Sequence, residues 1–310
     1  MRACRGHAPK GVGTGGGSRP PRVRLPAWLR VAALAGGVQL ATASASAGEP
    51  PRTEYTLGVF PYLSAATLED MFAPIASQLG RTIGRPVHLA TTLNYDAFGV
   101  KLRAGEYEIA YVQPFDYVAY AAPAGYVPVA ASRNVIRAAI FVRDDSPIRE
   151  AMDLRGKTLG LPARKAAVTY LARQELLLLG LAPGRDLVLR HFNSHQSCLQ
   201  QARIGNVDAC GTAHEIVRMF ERQMKTRFRA IRELPPIPPS VFVVRGDVPE
   251  RERLAIRTTL VSGDLPGIPS EARDLFGGEV VQGRTRYFRD VDDREYDVIR
   301  AYLRRLGENP

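Results

Sequence analysis

The chain has 310 residues, of which 45% are hydrophobic and 24% charged, with a formal net charge of +11 at pH 7. A chain of this length can bury a core without covalent crosslinks, and this composition excludes a low-complexity chain. The positive charge would suggest a nucleic-acid partner only if it lay on the folded domain.

The first 47 residues have the features of a secretory signal peptide. They contain seven basic and no acidic residues, an apolar run at Val31–Ala43 and the small-residue pattern Ala45-Ser46-Ala47. We expect cleavage after Ala47 and export to the periplasm, because a basic tail on a cytosolic protein has no need of that pattern. Removing residues 1–47 leaves 35 basic against 31 acidic residues, a net charge of +4, so no nucleic-acid partner is predicted.

The remaining chain alternates short apolar runs with amphipathic stretches, which predicts an α/β fold around largely parallel sheets. Helices are predicted at Leu68–Leu79, Ala166–Leu179 and Gln196–Ile204, where apolar residues recur at helical period. Strands are predicted at Tyr55–Phe60, Val87–Thr91, Ile109–Val112, Val127–Ala131, Ala138–Val142, Thr158–Leu161, Leu187–Phe192, Val207–Cys210 and Ser240–Val244. No further stretch approaches the roughly 20 apolar residues of a transmembrane helix.

Two segments interrupt the alternation. Residues 142–154 are mostly polar, and Leu234–Ser240 contains four prolines, which fix backbone angles and remove amide donors. The residues between these breaks are therefore predicted to form an inserted domain. One lobe would comprise residues 48–141 with 242–310, and the other residues 142–241. Two surface loops on one large domain are the alternative.

Two cysteines lie beyond the leader, Cys198 and Cys210, 12 positions apart. In an oxidising compartment they can form a disulfide, and two free thiols are equally compatible with the sequence. No metal and no cofactor is predicted, because the histidines show neither paired-cysteine nor His-Glu-x-x-His spacing.

Five stretches follow one another in a fixed order: LGVFPYLSAATLEDMFAPIASQLG from Leu57, NYDAFGVKLRAGEYEIAYV, DLRGKTLGLP, FNSHQSCLQQARIGNVDACG and LPPIPPS. This succession resembles the phosphonate/phosphite/phosphate-binding proteins of ABC importers over essentially the whole chain after the leader. The resemblance implies an α/β, two-lobed type II periplasmic-binding-protein fold. Each lobe would be a mostly parallel sheet flanked by helices, with the ligand in the cleft between the lobes.

Five strand-to-helix junctions are predicted to face that cleft. Ligands of open α/β sheets collect at the carboxyl ends of the strands, where helix N-termini offer unpaired amides to an anion. The phenols and the imidazole would donate to an oxyanion, and the cations would neutralise it; packing at a lobe edge and solvated surface charges are the structural alternatives. The predicted ligand-binding residues are Tyr62, Ser64, Tyr95, Gln113, Arg164, Lys165, Ser194 and His195.

Two departures from the family pattern bear on the ligand. Phosphonate binders of the family usually have a Ser-Thr-Ser run after the strand equivalent to Thr158–Leu161, whereas residues 164–167 read Arg-Lys-Ala-Ala. Binders of aminoalkylphosphonates tend to have an aspartate after the Ile-Pro turn, whereas this chain continues through proline to Ser240. The sequence therefore disfavours a ligand that carries an amine.

The sequence thus predicts a periplasmic solute-binding protein, a monomer that captures a small oxyanion for the membrane permease of an ABC importer. A sensor of the same fold that reports to a membrane kinase has the same features. An enzyme is a weaker alternative: Cys198 or Cys210 beside His195 would supply a nucleophile and a base, but no third group orients them. No catalytic residue is predicted.

Overall fold

The computed structural model describes residues 53–270, 272–305 and 307, so the predicted leader lies outside the described residues. These residues form two β-sheets flanked by helices, and a short separate hairpin. None of the described helices is long and apolar enough to cross a membrane.

The first sheet has six strands in the order β13-β4-β10-β3-β1-β2. They are β1 (Tyr55–Val59), β2 (Val87–Ala90), β3 (Ile109–Val112), β4 (Tyr126–Ser132), β10 (Val241–Arg245) and β13 (Phe288–Arg289). Strands β1, β2 and β3 are parallel, and β10 enters antiparallel between β3 and β4. The register places Tyr111 of β3 between Val59 and Phe242.

The second sheet has five strands in the order β7-β6-β8-β5-β9. They are β5 (Ala138–Arg143), β6 (Thr158–Leu161), β7 (Val188–His191), β8 (Ala209–Ala213) and β9 (Phe228–Glu233). Here β6 runs parallel to β7 and β8, while β5 is antiparallel to its neighbours β8 and β9. Strands β11 (Glu279–Val281) and β12 (Arg284–Arg286) form the separate hairpin.

Nine helices lie along the described chain. They are α1 (Ala65–Ile83), α2 (Tyr95–Arg103), α3 (Pro114–Asp116), α4 (Ala167–Leu178), α5 (His195–Arg203), α6 (His214–Met224), α7 (Glu250–Ser262), α8 (Ala272–Phe276) and α9 (Asp297–Arg305). A π-helical turn at Tyr117–Ala121 continues α3, and 3-10 helices cover Ala151–Leu154 and Asp293–Tyr296.

The predicted strands and helices are all present, with shifted ends, and the α/β fold class is confirmed. Strand β9 was not predicted because its six residues, FRAIRE, contain three charged side chains and show no clear alternation, as it lies at the edge of its sheet. Helix α1 begins after Ser64, whose hydroxyl accepts from the Thr67 amide, and ends at Gly84 with a φ of 72°. Both ends follow the usual capping preferences.

The chain passes between the two sheets twice, from β4 to β5 and from β9 to β10. The two passing segments are hydrogen-bonded to each other, since Ile136 and Ile237 exchange amide-to-carbonyl bonds of 3.0 and 3.1 Å. Strand β5 pairs entirely within the second sheet. The division of the chain into two lobes stays a prediction. The pairing of β5 favours placing the first boundary between the lobes before Ala138 rather than after Phe141.

The first sheet and α1 enclose a cluster of aromatic rings. Phe72 of α1 packs 5.1 Å from the Tyr111 ring and 5.5 Å from the Phe276 ring, between ring centroids. Tyr111 in turn lies 4.8 Å from Phe242 of β10. Because such rings lose few rotamers and bury large apolar areas, the cluster holds the ends of β1, β3 and β10 in fixed positions.

Candidate functional site

A small cavity lies among residues of both sheets and has a volume of about 60 Å³. A water molecule needs roughly 10–15 Å³ of such space, so the cavity accommodates a compact ligand of a few non-hydrogen atoms. It is lined by Phe60, Tyr62, Tyr95, Tyr111, Gln113, Ser132, Asn134, Ile136, Ala167, Val168, His195, Ala213, Glu215, Ile216, Ser240 and Leu275.

Tyr95, a lining residue of this cavity, carries a buried hydroxyl without a hydrogen-bond partner in the described structure. Tyr95 begins α2 after the capping residue Asn94, is 2% exposed, and packs edge-on against the Phe60 ring. Its hydroxyl makes no hydrogen bond to any described residue. Burial raises the pKa of Tyr95 well above its usual value, so the phenol stays protonated. An unpaired buried hydroxyl costs free energy, which a ligand oxygen would recover.

Two further phenols line the same cavity. Tyr62 stacks on Phe60 with 4.5 Å between ring centroids. The Tyr111 hydroxyl lies 2.6 Å from the Ser132 hydroxyl, and both side chains are buried. Burial raises the pKa of Tyr62 and the pKa of Tyr111 above the usual value for tyrosine. Both phenols are therefore neutral at physiological pH.

His195 is the first residue of α5 and is buried at the cavity wall. Ser194 caps the helix by accepting a hydrogen bond from the Ser197 amide. The His195 Nδ1 atom lies 2.8 Å from the Thr212 hydroxyl oxygen. Burial lowers the pKa of His195 to about 4, so the imidazole is neutral at pH 7 and has one N–H to donate.

Helices α4 and α6 begin at the cavity without a side-chain cap from the residue that precedes them. The residues before them, Ala166 and Ala213, provide no capping hydrogen bond, whereas α1, α2 and α5 are capped by side chains. The first turns of α4 and α6 contribute cavity-lining residues. Helix N-termini carry unpaired amides and a partial positive charge, so they stabilise a nearby anion.

Glu215, in the first turn of α6, is the carboxylate on the described cavity wall. Burial raises the pKa of Glu215 to about 7, partly offset by its own backbone amide and by Arg218. The sequence reasoning missed this residue. Strand β8 ends at Ala213, three residues later than predicted, so the junction before Glu215 was not recognised.

Gln113 connects the two sheets beside the cavity. Its Nε2 donates to the Lys165 carbonyl at 2.7 Å, and its Oε1 accepts from the Ala167 amide at 2.8 Å. Gln113 follows β3, while both partners lie at the start of α4. Asp116 lies behind Gln113, and burial raises its pKa to about 7.

Comparison with known proteins identifies the family. Residues 57–280 match the family model described as ABC transporter, phosphonate, periplasmic substrate-binding protein. The chain belongs to this family. Its members are substrate-binding proteins of a transporter, so the assignment of the chain as a binding protein and not an enzyme is confirmed. Membership also implies a small ligand, a permease partner and a periplasmic location.

Solved structures support the fold of this phosphonate-family binding protein. PhnD1 from Prochlorococcus marinus, in complex with methylphosphonate, matches with a TM-score of 0.70 and 14% identity, over 83% of this chain and 99% of that one. A binding protein component of an ABC phosphonate transporter, PA3383 from Pseudomonas aeruginosa, matches with a TM-score of 0.69 and 16% identity, over 80% of this chain and 85% of that one. XAC2383 from Xanthomonas citri, bound to a chloride ion, matches with a TM-score of 0.63 and 20% identity, over 83% of this chain and 99% of that one. The type II periplasmic-binding-protein fold is therefore confirmed.

Four of the eight predicted ligand-binding residues of this binding protein line the cavity: Tyr62, Tyr95, Gln113 and His195. They come from four different strand-to-helix junctions, so the expectation that these junctions converge agrees with the geometry. Their part in ligand binding stays a prediction.

The other four predicted residues do not line the cavity. Ser64 and Ser194 cap α1 and α5 through their hydroxyls. The Lys165 ammonium lies 2.8 Å from an Asp96 carboxylate oxygen, so it pairs with a side chain instead of facing the cavity. Arg164 is exposed. At the start of α4 the cavity is therefore lined by Ala167 and Val168, not by cations.

Replacing Arg164 with alanine is expected to change the affinity for an anionic ligand by less than about twofold. Exposed charges interact weakly with a site from which solvent and salt screen them. Isothermal titration calorimetry on the variant and the parent protein measures this directly. A tenfold loss would return Arg164 to the binding site.

Proposed function

We propose that the protein captures a small oxyanion of the phosphonate, phosphite or phosphate class in this cavity and delivers it to the permease of an ABC importer. The observation that carries the proposal is the buried hydroxyl of the cavity-lining residue Tyr95, which is unpaired among the described residues. Helices α4 and α6 begin at the same cavity without a side-chain cap from the residue that precedes them. The leader, residues 1–47, would direct export, and the exported protein would act as a monomer without a nucleic-acid partner.

The donors in the cavity are neutral. The phenols of Tyr62 and Tyr95 would bond the oxygens of the ligand, together with first-turn amides of α4 and α6 other than that of Ala167. His195 would add its Nε2–H in the tautomer whose Nδ1 accepts from the Thr212 hydroxyl. No lysine or arginine occurs among the described lining residues. Fixed neutral dipoles stabilise an anion in a water-excluded site without bringing an opposite charge of their own.

One part of the wall is apolar. Ile136, Ile216 and Leu275 line the cavity and offer no hydrogen-bonding side chain. An inorganic anion would leave this part of the wall in contact with polar oxygens, whereas a short alkyl group would bury apolar area against it. This favours a small alkylphosphonate over inorganic phosphate, and it agrees with the methylphosphonate found in the PhnD1 structure.

Contacts that join the segments of the two sheets support a binding mechanism by closure. Besides Gln113, the Ser64 amide donates to the Gln196 side chain at 3.2 Å, and Lys165 pairs with Asp96. We propose that these contacts belong to a closed form and that the paired segments at Ile136 and Ile237 act as the hinge. A ligand held by both lobes would favour the closed form through its greater affinity for it.

A calorimetric and thermal-shift panel tests the proposed function. The probes are methylphosphonate, phosphite, phosphate, sulfate, methanesulfonate and a neutral sugar. We expect the phosphorus oxyanions to bind and to raise the unfolding temperature, with methylphosphonate binding most tightly. Failure of every oxyanion to bind, or tighter binding of the sugar, would contradict the proposal.

A further inference from the structure

An acidic side chain such as Glu215 is unexpected in the wall of a cavity that binds an anion. It is the acidic residue among the described lining residues, and no lysine or arginine lines the wall with it. An ionised carboxylate beside an oxyanion would repel it, most strongly where water is excluded. Two acidic groups can lie side by side at a small cost in free energy when they share a single proton between their oxygens.

We propose that Glu215 and the bound oxyanion share one proton, so that the site binds an anion only when either the carboxyl group or the ligand carries a hydrogen. This inference rests on the proposed function. A fully ionised anion would accept from the neutral Glu215 carboxyl, and a P–OH monoanion would donate to the ionised carboxylate. Both routes give one O–H···O hydrogen bond and the same total charge.

Among the described ionisable residues of the cavity wall, Glu215 is the one whose protonation changes near neutral pH. Tyr62 and Tyr111 face it from the first sheet, and His195 lies on the same wall. Burial keeps the pKa of both tyrosines above the usual value and lowers that of His195 to about 4. These three groups therefore hold one protonation state between pH 5 and 9, while burial raises the pKa of Glu215 to about 7.

Three further ionisable groups have to be considered. Arg218 lies one turn along α6 and its charge favours the ionised carboxylate, whereas the charge of Asp274 on α8 opposes it. Asp116, behind Gln113, is a second buried carboxyl group whose pKa is raised to about 7 by burial. It does not line the cavity, so it serves as the matched control.

The test measures affinity against pH with methylphosphonate and methanesulfonate as probes. Methanesulfonate carries no proton above about pH 8, and methylphosphonate carries none above about pH 9, so in the parent protein the hydrogen must then remain on Glu215. Binding selects the protonated carboxyl, and the affinity therefore falls as the pH rises through the pKa of Glu215 in the empty site. We expect a fall of about tenfold per pH unit, above about pH 8 for methanesulfonate and above about pH 9 for methylphosphonate. In Glu215→Gln the amide donates at every pH, so the affinity of this variant for methanesulfonate should stay constant over the same range.

Two controls keep the result interpretable. Asp116→Asn should retain the slope of the parent protein. If Glu215→Gln fails to fold, calorimetry of the parent protein at pH 8.5 in buffers of different ionisation enthalpy should still show uptake of about one proton per methanesulfonate bound.

The outcomes separate the inference from the proposed function. If neither probe binds at any pH, the proposed function fails and the inference fails with it. If the probes bind with an affinity that does not depend on pH, or if the slope disappears in Asp116→Asn instead, only proton sharing is overturned. It is also overturned if aminomethylphosphonate releases a proton on binding, because Glu215 would then act as the ionised partner of an ammonium group.

Discussion

Replacing Tyr95 with phenylalanine is expected to weaken methylphosphonate binding roughly 5- to 150-fold, and to leave the protein without ligand as stable as before or more stable. The loss corresponds to about 1–3 kcal/mol for a charged oxygen left unpaired in a closed site. The opposite effect on stability follows because the hydroxyl has no partner among the described residues, so its removal takes away a desolvated polar group. A purely structural role would reduce stability and affinity together.

Tyr107→Phe is the matched control for this experiment. The Tyr107 hydroxyl is also buried without a partner in the described structure, but Tyr107 lies outside the cavity lining. Its removal should leave the affinity unchanged. His195→Ala should weaken binding within the same range as Tyr95→Phe. Calorimetry at one pH, together with thermal unfolding without ligand, compares all three variants. Equal affinities for Tyr95→Phe and Tyr107→Phe would remove Tyr95 from the site.

Replacing both Cys198 and Cys210 with alanine is expected to lower the free energy of unfolding by about 3 kcal/mol, the entropy that a crosslink over a loop of this length removes from the unfolded chain. The two cysteines form a disulfide in the structure, with 6.0 Å between Cα atoms, and both are fully buried. Of the two states that the sequence leaves open, a disulfide and two free thiols, the structure has the disulfide. Thermal unfolding should shift downward by about 6–12 °C.

The same crosslink supports the site. Cys198 lies one turn after His195 on α5, and Cys210 lies two residues before Thr212 on β8, whose hydroxyl contacts the imidazole. The double variant should therefore also lose some ligand affinity. Thr212→Val is the control, because it removes the contact with His195 and keeps the crosslink. An unchanged unfolding temperature in the double alanine variant would contradict the stabilising role.

Local patterns account for most of what the sequence predicted correctly. Strands, helix starts and caps depend on residues close together in the chain, so Ser64, Asn94 and Ser194 mark the starts of α1, α2 and α5 directly. The positions of Tyr62, Tyr95, Gln113 and His195 follow because each lies just after a strand, where the sheets direct the chain to the cavity.

Contacts between distant segments account for the rest. The pairing of Lys165 with Asp96 joins residues 69 positions apart, so the sequence could not show that Lys165 lies outside the cavity lining. Glu215 was missed because its position depends on where β8 ends, and buried strands rich in alanine and glycine give weak boundary signals. The unpaired Tyr95 hydroxyl likewise depends on every neighbour in the folded protein.

At the start of α4, Gln113 contacts main-chain groups, the Lys165 carbonyl and the Ala167 amide. Any side chain from position 164 to 167 that keeps the backbone in place therefore preserves this contact. The link between the sheets therefore depends on the backbone at the start of α4 and not on its side chains. Position 164 is exposed, whereas Ala166 and Ala167 are buried, so a library that keeps this link would vary residue 164 widely and residues 166 and 167 among small side chains.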